Sequence, residues 1–238
     1  MRSDPHPIEK ENPMPEPLKI IITLICGYFI GCINPAFIIG RLRGYDIREE
    51  GSGNAGASNV VILVGKRAGL FVALFDIIKS ACAWWLPALI FPELRYLAPL
   101  GAVACIIGHM YPVFMHFRGG KGLACLGGAM LAYDPKALLA LLGLALLIAV
   151  ITNYICIVTV SMGFIIPVYY GIQTAYLPGA FILAIPAIPI LVKHLVNFRR
   201  ISEGKELRMS ALFFENRELA RIGIDEEESK QIKSNLRK

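Results

Sequence analysis

Between Leu18 and Phe198 one apolar run follows another, most of them near the ~17–25 residues a helix needs to cross a bilayer. Nothing constrains the fold more. Lipid offers backbone N–H and C=O groups no outside partner, so each run must form a helix bonded to itself. The runs mark seven expected helices: Leu18–Gly40, Gly69–Phe91, Leu97–Phe117, Lys121–Tyr133, Lys136–Thr152, Tyr154–Gln173 and Pro178–Phe198. The fourth is short, and the fifth and sixth also read as one bent hairpin, which gives a range of five to seven. With 55% of its residues hydrophobic and a mean hydropathy of +0.57, the chain is too apolar for an ordinary soluble domain. The expected fold class is all-α, a polytopic membrane helical bundle. Residues 1–17 form a polar N-terminal extension, 18–198 the transmembrane domain and 199–238 a charged cytoplasmic tail, which reads as solvated, with an amphipathic helix near anionic lipid as the alternative.

Charge is sorted by loop. The net charge of +6 would suit nucleic acid, but the basic residues gather after the first span (Arg41, Arg43, Arg48, Lys66, Arg67), after the third (Arg118, Lys121) and from Arg199 onward. The opposite loops carry Arg95 and Lys136, and nothing basic lies between Gly171 and Pro178. This is the loop bias of a membrane protein, and it sets the N-terminus outside and the C-terminus in the cytoplasm. No nucleic-acid partner is expected. The N-terminal residues lack a basic stretch and a small-residue cleavage site ahead of the first run, so no cleaved signal peptide is expected. Cys26, Cys32, Cys82, Cys105, Cys125 and Cys156 lie in or beside apolar runs with no CxxC pair. They read as packed thiols, with neither a disulfide framework nor a zinc site.

Three polar clusters fall on the cytoplasmic side of this arrangement. In Gly51-Ser-Gly-Asn-Ala-Gly-Ala-Ser-Asn59, three glycines let the backbone turn tightly and approach a ligand, while serines and asparagines add uncharged hydrogen bonds. Such a loop suits phosphate; its bland alternative is a flexible turn between two spans. Its GxGxxG spacing lacks the preceding strand of a dinucleotide site. Gly119-Gly-Lys-Gly122 puts one lysine among glycines at the start of the short fourth helix, where free N–H groups favour anions. As an alternative it is an interfacial basic anchor, and it is not a Walker motif. His194 and Asn197, three apart at the end of the last helix, share a face. Asp76 and Lys79, i and i+3 in the second span, read as an ion pair supporting the site, and His109 reads as a satisfied core histidine.

In this order the residues resemble the bacterial acyl-phosphate:glycerol-3-phosphate acyltransferase family of integral membrane enzymes. The resemblance runs from Gly27 to Glu206. It rests on Gly31, Pro35, Asp46-Ile-Arg48, the Gly51–Asn59 loop, Gly108-His-Met-Tyr-Pro112, Phe117-Arg-Gly-Gly-Lys-Gly122, and His194 with Asn197. It implies a seven-helix protein of the bacterial plasma membrane with its active site facing the cytoplasm. The implied reaction moves a fatty acyl group from acyl phosphate to the sn-1 hydroxyl of glycerol 3-phosphate, giving lysophosphatidate for phospholipid synthesis. Carried over by position, Ser52, Gly53, Asn54 and Gly56 hold the acyl-phosphate head group, with Arg48, Ser58 and Asn59 also among the substrate ligands. Lys121, His194 and Asn197 bind glycerol 3-phosphate and orient its hydroxyl, with Gly119 and Gly120 beside them. The implied catalytic set is His194, Lys121 and Ser52. The implied partners are the two substrates and membrane lipid, without cofactor or metal.

The chain departs from the family pattern at four places. Ile62 stands where arginine is usual, Asn153-Tyr-Ile-Cys156 where Arg-x-x-Ser is usual, Ser80 for glycine and Cys125 for threonine. Isoleucine cannot supply the charge and forked geometry that arginine offers phosphate; Lys66 and Arg67 stand nearby as substitutes. An acyl phosphate is already activated, so the protein need only align an alcohol with the carbonyl and neutralise two phosphates. His194 suits general-base work near neutrality, with a substrate phosphate oxygen as the alternative proton acceptor. Ser52 lacks a triad partner and is assigned hydrogen bonding. Two other classes stay open on the residues. A transporter of a phosphorylated solute is opposed by the lack of an internal repeat. A low-activity relative that binds lipid phosphate is favoured by Ile62.

Overall fold

A computed structural model describes residues 14–206 and 208–212, and every regular element among them is helical. Most of the N-terminal extension and the charged tail beyond 212 lie outside the described residues.

Prolines decide where the expected spans break. The first is two helices, α1 (Glu16–Cys32) and α2 (Pro35–Leu42). Pro35 cannot donate to the turn before it and disfavours a helical Asn34. Asn34 is accordingly extended, and its side-chain oxygen accepts the Phe37 N–H at 2.8 Å to cap α2. The polar loop then contains α3 (Ala57–Leu63), which has no counterpart among the expected helices. The second span is α4 (Lys66–Ile90). The third ends early as α5 (Leu97–Met110), followed by Pro112 and a 3-10 turn over Val113–Met115. Next come the short α6 (Leu123–Tyr133), α7 (Pro135–Thr152) and α8 (Ile155–Thr174). The last span divides around Pro186 into α9 (Leu177–Ala184) and α10 (Ala187–Ser202).

Among the described residues six stretches are long and apolar enough to cross a membrane, and α6, at 11 residues, is an additional short apolar helix. The expected bundle is therefore present. Helix α5 is its axis: 72% of its apolar window is buried, against 11% for the peripheral α7. Helix α1 lies along α5 so closely that a side chain on Gly31 would strike the Cys105 carbonyl, and one on Gly108 the Tyr28 carbonyl. Helix α4 packs on α5 and α6, and α8 touches α6, α7, α9 and α10. Ile106, Met110, Leu126, Met162 and Ile190 interlock α5, α6, α8 and α10 in one buried cluster. Outward-facing Leu89, Ile151, Ile172 and Ile188 are exposed, the apolar exterior that suits lipid.

Candidate active site

The Asp46–Asn59 loop is folded around Asn59, which is fully buried. Its Oδ1 accepts the Ser52 N–H at 2.8 Å, and its Nδ2 donates to the carbonyls of Ile47 (2.8 Å) and Glu50 (3.0 Å). Both amide donors are thus spent inside the loop. Gly51 sits at φ 59 with no room for a side chain beside Asn59 Oδ1. Asn34 adds a second anchor by donating to the Ala55 carbonyl at 3.0 Å, so the break in the first span also fixes the loop. Gly51, Gly53 and Ser58 remain exposed, Ser52 and Asn54 are half-buried, and Gly56 precedes α3 as its cap residue.

Arg48 is engaged by protein. Its Nε and Nη2 grip the Asp46 carboxylate at 2.9 and 2.6 Å, and Nη1 donates to the Met115 carbonyl at 2.5 Å. The guanidinium hydrogen bonds hold the Asp46 pKa down to about 2. With the Arg118–Glu49 ion pair at 3.1 Å, the Arg48–Met115 bond lashes the loop to the segment that follows α5.

That segment folds back on its own helix. The Gly119 N–H donates to the Met110 carbonyl (3.2 Å) and the Gly120 N–H to that of His109 (3.0 Å). From the other side Lys193 on α10 donates to the Met110 carbonyl at 2.6 Å, with the Gly120 and Gly119 carbonyls at 3.3 and 3.4 Å. The Tyr111 ring lies beneath this ammonium, 4.6 Å from its centroid. Sequence reasoning passed over Lys193, which reads there as one more basic residue at a helix end. Its place one position before His194 was the only signal.

Lys121, the lysine of the turn, donates to Asn197 Oδ1 at 2.7 Å, and Asn197 Nδ2 donates to Glu206 Oε1 at 2.6 Å. Burial pushes the Lys121 pKa below the ordinary lysine value, with Glu206 opposing the shift. His194 lies one turn before Asn197 and is 1% exposed. Its Nδ1 is 2.7 Å from the Ile190 carbonyl. A carbonyl can only accept, so Nδ1 carries the proton and Nε2 keeps the lone pair.

A further strand of contacts closes the site from the C-terminal side. Asn153 ends α7 at φ 62 and takes three hydrogen bonds with the segment after Glu206. Its carbonyl accepts the Met209 N–H (2.7 Å), its Oδ1 accepts the Ser210 N–H (2.9 Å), and its Nδ2 donates to Ser210 Oγ (3.2 Å). Asn153 is one of the departures from the family pattern, and here it anchors the segment adjoining Glu206.

Beneath the turn, Lys79 Nζ lies 2.6 Å from Asp76 Oδ1, 2.7 Å from the Ile33 carbonyl and 3.1 Å from His109 Nδ1. The expected ion pair forms and takes in His109, whose ring abuts Gly120 so tightly that no side chain fits there. The structure therefore brings the three sequence clusters into one connected end of the bundle. Glu49 and Arg48 join the first to the second, and Lys121 and Lys193 join the second to the third.

A family model described as glycerol-3-phosphate acyltransferase matches residues 21–204. A relative from Oceanobacillus iheyensis called glycerol-3-phosphate acyltransferase 1 is 36% identical over 202 residues, covering 81% of this chain and 96% of its own. A glycerol-3-phosphate acyltransferase from Legionella pneumophila (strain Corby) is 39% identical over 190 residues, 78% of this chain and 67% of its own. Among solved structures, the glycerol 3-phosphate form of PlsY (YgiH), an integral membrane glycerol 3-phosphate acyltransferase, superposes with a TM-score of 0.75 at 28% identity. It covers 82% of this chain and 98% of that one. The lysophosphatidic acid form of the same protein gives 0.73.

Proposed function

The chain belongs to the glycerol-3-phosphate acyltransferase family, and from that premise we propose how it acylates glycerol 3-phosphate in phospholipid synthesis. The donor is an acyl phosphate, and the acceptor is the sn-1 hydroxyl. The observation that carries this reading is the convergence of Lys121, Asn197 and His194 beside a buried, glycine-built turn.

Lys121 receives the glycerol 3-phosphate. One of its N–H groups is directed to Asn197, which leaves two for phosphate oxygens. Glu206 orients the Asn197 amide, and Lys193 holds the turn from behind. The Gly51–Asn59 loop receives the acyl-phosphate head group through its outward residues, Ser52, Gly53, Asn54 and Ser58. Asn59 and Arg48 give shape to that loop, since their donors are engaged within the protein. The half-buried Ser52 supplies a hydroxyl at the loop's open side.

In the transfer itself the acceptor oxygen attacks the acyl carbonyl carbon, the bond from that carbon to the phosphate oxygen breaks, and inorganic phosphate leaves. The hydroxyl proton passes to His194 Nε2, the ring nitrogen whose lone pair the Ile190 carbonyl fixes from the opposite side. No group on the enzyme is acylated. The acyl chain lies among the bundle's apolar faces and arrives from the bilayer. The loop charges support a cytoplasmic site and an outside N-terminus, because Arg41, Arg43, Arg118, Arg199 and Arg200 all flank the polar end.

Purified protein in detergent, given palmitoyl phosphate and glycerol 3-phosphate, should form lysophosphatidate and inorganic phosphate in equal amounts. Phosphate without lysophosphatidate would replace the acceptor in this reading, and neither product would overturn it.

A further inference from the structure

We propose that Asp76, His109 and Cys125 form a binding site for one thiophilic divalent cation, zinc being the natural choice, which enters by displacing the Lys79 ammonium. The three residues come from α4, α5 and α6 and are 2%, 3% and 0% exposed. One donor atom from each lies within 4.8 Å of the other two.

The centre is already built for a cation. Lys79 Nζ is held there by the Asp76 carboxylate, the Ile33 carbonyl and His109 Nδ1. An ammonium has no acceptor, so His109 Nδ1 must accept from it, and its lone pair points at the cation position. What the ammonium leaves unused is the thiol. Zinc bound at ~2.0–2.3 Å by N, O and S ligands places neighbouring donors roughly 3.3–3.8 Å apart, so donors that lie within 4.8 Å of one another need close by no more than about 1–1.5 Å.

The charges balance within the set. Binding releases two protons, one from the Cys125 thiol and one from the Lys79 ammonium; carboxylate and thiolate then offset the ion's two charges, the imidazole binds neutral, and Lys79 is left an uncharged amine. Lys79 withdraws to the Ile33 carbonyl it already holds. Sequence spacing conceals the site because its ligands are scattered over three helices with no CxxC pair. The site is also a property of this chain: the resembled family commonly has threonine at position 125, which offers no thiolate.

The ion would be felt above it. Gly120 rests on the His109 ring, and Lys121 follows directly. Drawing the imidazole toward Cys125 removes the support under the turn, so binding should slow acyl transfer. That consequence rests on the proposed reaction; the binding site does not.

The test is a titration of the purified, detergent-solubilised protein with cadmium, reading the ultraviolet thiolate-to-cadmium absorption, followed by displacement with zinc. Wild type should bind one ion per site with a thiolate band. Cys125→Thr should lose that band and bind at least tenfold more weakly, while Cys156→Ser keeps it. Thermal unfolding of metal-free Cys125→Thr should match wild type, separating lost ligation from lost fold. No band in wild type, or an equal band in Cys125→Thr, overturns the site. In the acyl-transfer assay zinc should half-inhibit wild type at a concentration at least tenfold below that for Cys125→Thr. An intact band with no inhibition would keep the site and overturn its link to the turn.

Discussion

Lys121 and Asn197 are 76 positions apart and meet at 2.7 Å, and this hydrogen bond ties the glycine turn to the last helix. Asn197 is itself oriented by Glu206, so the ammonium is aimed by two residues in series. A lysine held in this way is a positioned charge, and burial makes it a strong one because water screens it poorly.

Removing that charge should therefore cost binding more than chemistry. Lys121→Ala is expected to lower kcat/KM for glycerol 3-phosphate roughly 10- to 100-fold, mainly through KM, as fits the loss of charge-assisted hydrogen bonds. Steady-state kinetics at saturating acyl phosphate check this. A fall confined to kcat would move Lys121 from binding to the chemical step.

His194 should behave in the opposite way. His194→Asn keeps a side-chain donor at the Nδ1 position for the Ile190 carbonyl but offers no base. We expect kcat to fall by ~10²–10⁴ with KM little changed. An unchanged kcat would assign the proton to the substrate phosphate.

Acid stability should depend on Asp46. Its folded pKa of about 2 lies below the ordinary carboxylate value, so the unfolded chain binds its proton first. The contribution is present above about pH 4 and is lost as pH falls toward 2. Thermal unfolding across that window should show wild type losing stability more steeply than Asp46→Asn, which starts lower and stays flatter.

Ile62 lies on the exposed side of α3, 37% accessible, so arginine can be introduced there without disturbing packing. If the loop beside it receives acyl phosphate, Ile62→Arg should raise kcat/KM for that substrate several-fold at low salt. No change would mean that this chain already neutralises the head group by other residues.

Asn153 tests the C-terminal closure. Asn153→Gly tolerates the φ of 62 but loses two of the three hydrogen bonds to Met209 and Ser210. Amide exchange over residues 208–212 should accelerate at least tenfold, and KM for glycerol 3-phosphate should rise. Unaltered exchange would show that the packing of Met209 alone holds the segment.

The bundle was legible because lipid leaves a long apolar run one outcome, and α4, α7 and α8 lie close to where hydropathy puts them. The breaks at Asn34, Pro112 and Pro186 were not, because hydropathy runs on through each proline while the backbone cannot. The three polar clusters could be found by composition and placed on one face by loop charge. Which of their donors point outward could not. Asn59 and Ser58 are neighbours of similar chemistry, yet Asn59 is fully buried in its own loop and Ser58 is exposed. Lys193 and Asn34 went unseen for the same reason: each matters through carbonyls contributed by distant segments, and carbonyls carry no sequence signal.

Helix α6 is too short to cross a bilayer, and Lys121 stands just before it. At 11 residues it is about 16 Å long, while α7, which leaves the same Asp134 turn, is about 27 Å. Helix α6 is therefore roughly 10 Å shorter than α7. Lys121 lies two positions before the start of this short helix, and Asn153, at the end of the long one, binds the returning C-terminal segment. On the proposed reaction, a short helix behind Lys121 would let a water-soluble anion bound there meet a lipid-borne carbonyl without that carbonyl leaving the bilayer.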